Sequence, residues 1–495
     1  MRRVLPSASM SLSPDHLDEL RALLGADAVL ASEAARFTYE ADALVLDKHM
    51  PDVVVLPRST DEVAAVVRWA HALRIPVTAR GAGTGLAGGA TPEHGGVVLS
   101  VNRMDQVLRI DPERMFAWVQ PGLVNLWLSQ QLAPLGLYYA PDPASQQVST
   151  VGGNVATNAG GPHCLKYGVT LNHVLGVTVV LHDGVVVTLG GESCDAPDYD
   201  LASVVIGSEG TLGIATEICV RLCPKPEAVK TMLFDFTTVE AACRTVSAVI
   251  ADGIVPAAME IMDQHTVQLV EDWLHIGLAR DAAAVLLIEV DGPAVTLAAQ
   301  VERIGTHAAT HGTRSTRIAK DEAERAAIWR GRKSAFGAYG RTASGFYIMD
   351  GVVPRTKIAE ALSEVYRLCG ERGLEAGNVF HAGDGNLHPH VLFDADDPAA
   401  QARALEASHE ILRMCIRFGG TISGEHGVGI EKRPMMRELF AAEDLEAMGR
   451  VRAAFDPGGR LNPGKILPGD GDAHVGGPAQ MGGMTVRPDA EGPWI

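Results

Sequence analysis

The chain has 495 residues, of which 47% are apolar and 21% charged, and its formal net charge is −18. This length exceeds what one hydrophobic core usually supports, so it predicts two or three domains of ordinary globular composition. The negative charge would repel a phosphate backbone, and we therefore expect no nucleic-acid partner.

The cysteines and the first residues indicate the cellular compartment in which we expect the protein. The seven cysteines include no C-x-x-C pair, so neither a disulfide framework nor an iron–sulfur motif is predicted. Arg2 and Arg3 are not followed by the apolar core of a signal peptide, and the longest apolar stretch, 282–288, is too short to span a bilayer. We expect a cytoplasmic protein, with any contact to the inner face of the membrane peripheral and made through partners.

From about residue 49 to 222, short β-branched runs alternate with glycine-rich turns. The runs predicted to be strands are 53–56, 76–79, 97–101, 174–181, 185–189 and 214–222. The dipeptide Asp183-Gly184 favours a tight hairpin, so part of the sheet is predicted to be antiparallel. One helix is predicted from Thr60, with Ser59 or Thr60 as its cap.

After Pro224-Lys-Pro226 the pattern changes to longer amphipathic helices separated by strands such as 285–290. The helices are predicted near 238–251, 294–308, 321–336, 354–371, 398–418 and 440–454. The proline pair predicts a domain boundary. The predicted division is a flexible N-terminus at 1–14, domains at 15–224 and 225–467, and a flexible Gly/Pro-rich tail at 468–495.

A glycine-rich loop follows the predicted strand at 76–79. It contains Gly83-x-Gly85-x-x-Gly88, the spacing of the dinucleotide fingerprint, but it continues into a strand where a Rossmann fold needs a helix. Its consecutive backbone N–H groups could instead cradle a phosphate. Two further glycine clusters, at 149–161 and 207–213, favour a longer ligand such as a dinucleotide.

His381 and His388 flank a turn-rich segment that could fold back and bring both imidazoles to one point. Glu425, from the remote segment Ser423-Gly-Glu-His-Gly, could complete a two-histidine, one-carboxylate face. That ligand set suits a catalytic divalent ion with open coordination positions. His426 is a candidate general base because imidazole titrates near working pH, with a structural second-layer histidine as the alternative.

Two other positions are candidates for the same site. His390 would face it if its segment is extended, or it is simply a solvated polar residue. The helix at 321–336 carries Arg330, Arg332 and Lys333, and a guanidinium there could hold a substrate carboxylate by two parallel hydrogen bonds. The alternative is that these cations form the solvated face of the helix.

A series of motifs occurs in the order found in a known family. The motifs are Arg80-Gly-Ala-Gly-Thr-Gly-Leu, Tyr139-Ala-Pro-Asp-Pro-Ala-Ser, Gly207-Ser-Glu-Gly-Thr-Leu-Gly, His381-Ala-Gly-Asp-Gly-Asn-Leu-His-Pro, Ser423-Gly-Glu-His-Gly and Asn462-Pro-Gly-Lys. Over about residues 15–467 the chain resembles the vanillyl-alcohol-oxidase-type flavoproteins, specifically glycolate oxidase flavin subunits and the related D-lactate and D-2-hydroxyglutarate dehydrogenases.

The resemblance implies an α+β fold: a two-subdomain FAD-binding domain and a C-terminal α+β substrate (cap) domain with an antiparallel sheet. FAD would be bound without a covalent link, because the first glycine loop contains no histidine before His94. The residues that would bind it are Arg80, Gly81, Ala82, Gly83, Thr84, Gly85, Leu86, Gly88, Gly89, Pro141, Asp142, Thr150, Gly152, Gly153, Gly160, Glu209, Gly210, Ile214 and Asn462.

By the same resemblance, His381, His388 and Glu425 match the family's ligands for a divalent metal, Zn, Mn or Fe. His426 matches its base and Arg332 its carboxylate-binding residue. The implied reaction is the oxidation of a small 2-hydroxy acid to the 2-oxo acid by hydride transfer to flavin N5, with glycolate favoured and D-lactate next.

Some relatives carry a lysine after the arginine helix, where this chain has Tyr347-Ile-Met-Asp350-Gly. That departure favours the glycolate oxidase branch, whose flavin subunits are associated with a second flavin-type subunit and an iron–sulfur subunit. A self-sufficient D-lactate or D-2-hydroxyglutarate dehydrogenase is the alternative. A non-catalytic flavin-binding subunit is less favoured, because it would not need the histidines and Glu425 together.

Overall fold

The computed structural model describes residues 12–44, 47–194 and 199–469. The flexible ends predicted at 1–14 and 468–495 lie almost wholly outside these residues. After helix Pro14–Leu24 the chain forms a small mixed sheet, whose strands in spatial order are Val29–Leu30, Val53–Val55, Val97–Ser100 and Val77–Arg80. Its first pair is antiparallel and the other pairs are parallel.

Helix Thr60–Leu73 packs against this sheet and confirms the predicted helix. Ser59 caps it, because its side chain accepts a hydrogen bond from the backbone of Glu62 at 3.2 Å. The apolar positions recur at the helical period and join the core of the sheet. They are Val63, Val66, Val67 and Ala70.

A second sheet of five strands is antiparallel throughout. Its strands in spatial order are Val107–Asp111, Phe116–Val119, Ile214–Arg221, Val174–Val180 and Val186–Gly190. The predicted hairpin joins the last two, with Gly184 at φ +81°. The two sheets have separate apolar cores, so this part of the chain has two subdomains. A short pair, Leu137–Tyr138 with Cys223–Pro224, lies beside them.

Beyond residue 226 the chain forms one large antiparallel sheet, as predicted. Its main path is Thr313–Ile318, Ala228–Phe236, Ala284–Gly292, Ala258–Asp263, Glu375–His381, Asn386–Leu387 and Gly351–Val352. A branch adds Pro389–Phe393 to Glu375–His381, and Gly345–Ile348 to Pro389–Phe393.

Both faces of the large sheet are buried. Phe234 and Phe236 belong to one apolar core and Leu233 to another, as the two-residue period of a strand requires. The helices of the first core are Val239–Ala251, Ala294–Thr310, Ile358–Gly370 and Pro398–Arg417. Those of the second core are Gln264–Leu274, Glu322–Lys333 and Ala335–Tyr339. The α+β class is therefore confirmed.

The helices predicted after residue 226 are confirmed, with the segment 321–336 divided in two. Helix Val151–Thr157 was not predicted, because its two glycines have low helix propensity. The remaining α-helices are Pro14–Leu24, Glu33–Phe37, Asn125–Leu132, Cys164–Tyr167, Leu201–Val205, Met436–Leu439 and Ala442–Phe455. None of the described helices has the length and apolar character needed to cross a bilayer.

The end of the described chain returns to the first sheet. Leu461 forms a parallel bridge with Val77, and the backbone N–H of Asn462 donates to the Val77 carbonyl at 2.8 Å. Leu461 is 2% exposed and belongs to the core of the first sheet. Separating the C-terminal segment from the first part of the chain would therefore expose a buried leucine.

We expect Leu461→Ala to lower the free energy of unfolding by about 2–5 kcal/mol, because it removes buried methyl groups and leaves a cavity. Chemical denaturation measures this change. The matched control is Leu405→Ala on helix Pro398–Arg417, where the leucine is 37% exposed and the expected change is below about 1 kcal/mol. Equal losses in the two variants would contradict the packing of the C-terminal segment.

Candidate active site

A cavity of about 710 Å³ lies between the two parts of the chain. The first part lines it with residues from the three glycine-rich segments identified in the sequence. The second part contributes Trp273, Phe336, Glu425 and His426 among others. The predicted dinucleotide loops, Glu425 and His426 therefore face one space, whereas His381, His388 and Arg332 are not among its lining residues.

Most of the predicted cofactor residues line this cavity. They are Arg80, Gly81, Ala82, Gly83, Thr84, Gly85, Leu86, Gly89, Thr150, Gly152, Gly153, Glu209, Gly210 and Ile214. The predicted cofactor residues that do not line it are Gly88, Pro141, Asp142, Gly160 and Asn462.

Two of these residues, Asn462 and Gly160, contact residues that line the cavity. The side-chain amide of Asn462 donates to the carbonyls of Gly89 at 2.7 Å and Glu209 at 2.6 Å, which are both in lining residues. A Cβ on Gly160 would lie 2.8 Å from a carboxylate oxygen of Glu425. A residue larger than glycine at position 160 would therefore displace the side chain of Glu425.

The first glycine loop has the backbone features of a phosphate cradle. No backbone N–H from Gly81 to Leu86 donates a hydrogen bond to another described residue, and no helix follows the loop. Gly83 has a φ of +72°, which side chains other than glycine rarely adopt. Arg80 folds beneath the loop and donates to the carbonyl of Ala41 at 2.7 Å. These features fit the pyrophosphate of FAD.

The first two glycine segments touch each other at Gly81. A Cβ there would lie 2.4 Å from Oγ1 of Thr150. Thr150 caps helix Val151–Thr157 by accepting a hydrogen bond from the backbone of Gly153 at 3.1 Å. A side chain at position 81 would therefore displace this cap.

The structure brings His381, His388 and Glu425 together. His381 ends one strand, and a turn returns the chain through Asn386–Leu387, so that the two imidazole centroids lie 5.0 Å apart. Nε2 of His381 lies 3.2 Å, and Nε2 of His388 3.1 Å, from the same oxygen of Glu425. The turn folds back as its sequence predicted.

The protein also holds the other nitrogen of each ring. Nδ1 of His381 lies 2.7 Å from Oε1 of Glu260, and Nδ1 of His388 lies 3.2 Å from the carbonyl of Met349. If each Nδ1 carries the proton and donates it there, each Nε2 has a lone pair directed at Glu425. Histidines that bind metals are oriented in this way.

The charges of the site also fit a divalent cation. Burial alone would lower the pKa of His381, but the carboxylates of Glu260 and Glu425 raise it well above its ordinary value. Burial alone would raise the pKa of Glu425, but His381 and His388 hold it well below its ordinary value. The carboxylates thus require a bound proton or cation, and two imidazoles with one carboxylate are a suitable metal donor set.

Asp350 holds the loop that carries Glu425 and His426. Its carboxylate accepts hydrogen bonds from the backbone N–H groups of Gly424, Glu425 and His426, at 3.1, 3.1 and 2.8 Å. Nζ of Lys432 lies 3.0 Å away, and both side chains are fully buried. Most of these bonds fall on Oδ2, and Asp350 also lies with His388, Glu425 and His426 in a group whose donor atoms are within 4.8 Å of one another. Asp350 therefore fixes the loop that carries Glu425 and His426.

His426 lies next to the three converging residues. Its ring stacks on His388 with centroids 5.1 Å apart, and its Nε2 lies 3.9 Å from Glu425. Its Nδ1 is buried and has no hydrogen-bond partner in the described part of the chain. Burial lowers the pKa of His426 to about 4, so the ring is neutral near pH 7 and can accept a proton.

Arg332 is buried at the end of helix Glu322–Lys333. Its Nε and Nη2 contact Oε2 of Glu260 at 2.6 and 2.5 Å. Arg330 is exposed, whereas Lys333 lines the cavity with its Nζ 3.9 Å from Asp142. Two nitrogens of Arg332 are thus bound to a carboxylate of the protein itself.

His390 does not join the cluster. Its ring stacks on Tyr339 at 4.2 Å between centroids, and its Nδ1 lies 2.8 Å from the carbonyl of His388. Glu260 and Lys432 were not predicted from the sequence as parts of the site. Glu260 did offer a signal, because a charged residue within an apolar strand is unfavourable unless it has partners.

The fold is that of vanillyl-alcohol-oxidase-type flavoproteins, and the two domains are those of FAD-linked oxidases. Residues 51–190 match the FAD binding domain, and residues 225–466 match the C-terminal domain of FAD linked oxidases. The structure of 4-ethylphenol oxidase from Gulosibacter chungangensis has a TM-score of 0.76 at 20% identity, covering 93% of this chain and 99% of that one. For p-cresol methylhydroxylase the TM-score is 0.76 at 18% identity, covering 91% and 96%.

Relatives of higher identity define the family. Glycolate oxidase subunit GlcD of Escherichia coli (strain K12) is 45% identical, over 89% of this chain and 88% of that protein. GlcD of Bacillus subtilis (strain 168) is 40% identical, over 94% and 99%. D-lactate dehydrogenase of Archaeoglobus fulgidus is 34% identical, over 88% and 96%. The chain belongs to the FAD-linked oxidase family that includes these enzymes, as its motifs predicted.

We expect Gly81→Ala to raise the dissociation constant for FAD at least about fivefold, because displacing the Thr150 cap costs about 1 kcal/mol. Titrating the apoprotein with FAD by fluorescence measures the constant. The control is Gly305→Ala on helix Ala294–Thr310, where an added Cβ meets nothing within 4 Å. Unchanged affinity in Gly81→Ala would contradict the proposed cradle.

We expect Lys432→Met to lower the free energy of unfolding by about 3–5 kcal/mol, because it leaves Asp350 buried without its cation. Adding Asp350→Asn should recover part of the loss, since the two residues interact directly. Lys357→Met, which removes a partly exposed pair with Glu360, should cost below about 1 kcal/mol. Denaturant unfolding compares the variants, and similar losses for Lys432→Met and Lys357→Met would refute the role of the buried pair.

Proposed function

We propose that this protein oxidises a small 2-hydroxy acid to the 2-oxo acid with FAD, with glycolate the favoured substrate and D-lactate the next. The observation that carries the proposal is the convergence of His381, His388 and Glu425 beside His426 at the wall of the cavity. Two relatives are named for glycolate and D-lactate, which supports this substrate class. A flavin-binding subunit without catalysis would not need such a cluster.

Each part of the site has a different role in the proposed reaction. FAD supplies the hydride acceptor, N5 of its ring. A divalent ion held by His381, His388 and Glu425, whether Zn, Mn or Fe, would lower the pKa of the substrate's 2-hydroxyl. His426 accepts the hydroxyl proton at a ring nitrogen as the C2 hydrogen leaves with its electron pair and the C=O bond forms.

Arg332 is the proposed partner of the substrate carboxylate. Its Nη1 makes no hydrogen bond to another described residue, while Glu260 holds Nε and Nη2. A guanidinium held on one side is pre-oriented and loses little conformational entropy when the other side binds an anion. The substrate is thereby held at its carboxylate while C2 and the hydroxyl react.

The reduced flavin must pass its electrons on. GlcD is named as a subunit in two relatives, and the sequence contains no cysteine pair of the iron–sulfur type. We therefore include a second flavin-type subunit and an iron–sulfur subunit, at the inner face of the membrane, as the proposed acceptors. A self-sufficient D-lactate or D-2-hydroxyglutarate dehydrogenase is the alternative.

Anaerobic reduction of the bound flavin identifies the substrate. Glycolate, D-lactate, L-lactate and D-2-hydroxyglutarate are added in turn, and the flavin absorbance is followed by stopped flow. We expect glycolate to reduce the flavin fastest and D-lactate next. Reduction by D-lactate or D-2-hydroxyglutarate but not glycolate would favour the alternative, and reduction by none of the four would overturn the proposed function.

We expect His426→Ala to bind FAD normally but to reduce it about 10²–10⁴-fold more slowly with the best substrate, since general-base catalysis contributes that much. Single-turnover stopped flow measures the rate. The control is His409→Ala on helix Pro398–Arg417, which removes a histidine near Arg413 that does not line the cavity. A normal rate in His426→Ala would remove His426 from the mechanism.

A further inference from the structure

Glu260 lies in the middle of an apolar strand, Ala258–Asp263, and is 1% exposed. The register of the large sheet pairs it directly with His381 on the neighbouring strand. Directly paired residues of antiparallel strands project from the same face of the sheet. The sheet itself therefore places the Glu260 carboxylate next to the His381 imidazole.

The two oxygens of Glu260 have different partners. Oε1 lies 2.7 Å from Nδ1 of His381, and Oε2 lies 2.6 Å from Nε and 2.5 Å from Nη2 of Arg332. A buried carboxylate needs such compensation, because leaving it without charged or hydrogen-bonding partners is strongly unfavourable. One side chain thus fixes both a proposed metal ligand and the proposed substrate-binding arginine.

We propose that Glu260 is a positioning residue that holds the metal-binding histidine and the substrate-binding arginine in one fixed relation. Its contact with Nδ1 leaves the Nε2 lone pair of His381 for the metal, and its contact with Arg332 leaves Nη1 for the substrate carboxylate. The distance between the hydroxyl site and the carboxylate site is then set by one side chain. This inference rests on the proposed metal-assisted oxidation.

The Glu260→Gln variant distinguishes the positioning of His381 and Arg332 from simple packing, because glutamine has nearly the same shape as glutamate. An amide has one acceptor and one donor, so one of the two partners must face an N–H group. If that partner is His381, its Nδ1 becomes the acceptor and its Nε2 carries the proton, which blocks metal binding. If it is Arg332, donors face each other and the guanidinium moves. Glu260→Asp keeps the charge but is too short to hold both partners.

The test compares FAD-loaded wild type, Glu260→Gln and Glu260→Asp with a matched control, Glu289→Gln. Glu289 lies on the adjacent strand, is 2% exposed and accepts hydrogen bonds from Arg325 and Trp329 at 2.9 and 2.7 Å. Elemental analysis gives metal per flavin over a series of free-metal concentrations. Steady-state assays with the best substrate give KM and kcat. Thermal unfolding shows whether each variant is folded.

We expect Glu260→Gln to keep its flavin while metal affinity falls about 10–100-fold or KM rises about tenfold, and Glu260→Asp to show a smaller change of the same kind. Glu289→Gln should lose stability without either change. The positioning role would be overturned if the folded Glu260 variants kept wild-type metal affinity and KM, or if Glu289→Gln showed the same changes. Neither outcome would bear on the proposed function itself. Wild-type enzyme that is metal-free and fully active would overturn the proposed metal as well.

Discussion

The buried carboxylate of Asp350 is the interaction on which the geometry of the site depends. It binds consecutive backbone N–H groups of the loop that carries Glu425 and His426, and it is paired with the equally buried Lys432. Because a buried charge is unfavourable without such partners, this loop cannot leave Asp350 without a large free-energy penalty. The proposed metal ligand and the proposed base are held in place by that constraint.

The same loop also joins the two parts of the chain. Just beyond it, the backbone N–H groups of Val428 and Gly429 donate to the carboxylate of Glu209, at 2.7 and 3.0 Å. Glu209 lines the cavity proposed to bind FAD and has a φ of +51°, which is unusual for a residue other than glycine. Residues of this cavity and the loop that carries the proposed base are therefore parts of one contact.

Features encoded by neighbouring residues were predictable from the sequence. The hairpin at Gly184, the helix from Thr60 and the turn that joins His381 to His388 each depend on a few adjacent side chains. The roles of Glu260 and Lys432 could not be predicted, because their partners are distant in the sequence. Arg332 lies 72 residues from Glu260, and Asp350 lies 82 residues from Lys432. Helix Val151–Thr157 was not predicted, because its two glycines have low helix propensity. It forms because its cap and its packing outweigh that low propensity.

The central claim is that His381, His388 and Glu425 bind a divalent ion beside the flavin. Anomalous diffraction from crystals of the FAD-loaded protein tests it most directly. The account predicts a metal peak about 2.0–2.2 Å from Nε2 of both histidines and from a carboxylate oxygen of Glu425, with Asp350 still bound to Lys432. No peak in a fully active crystal, or a metal bound through Asp350 and away from His381, would contradict it.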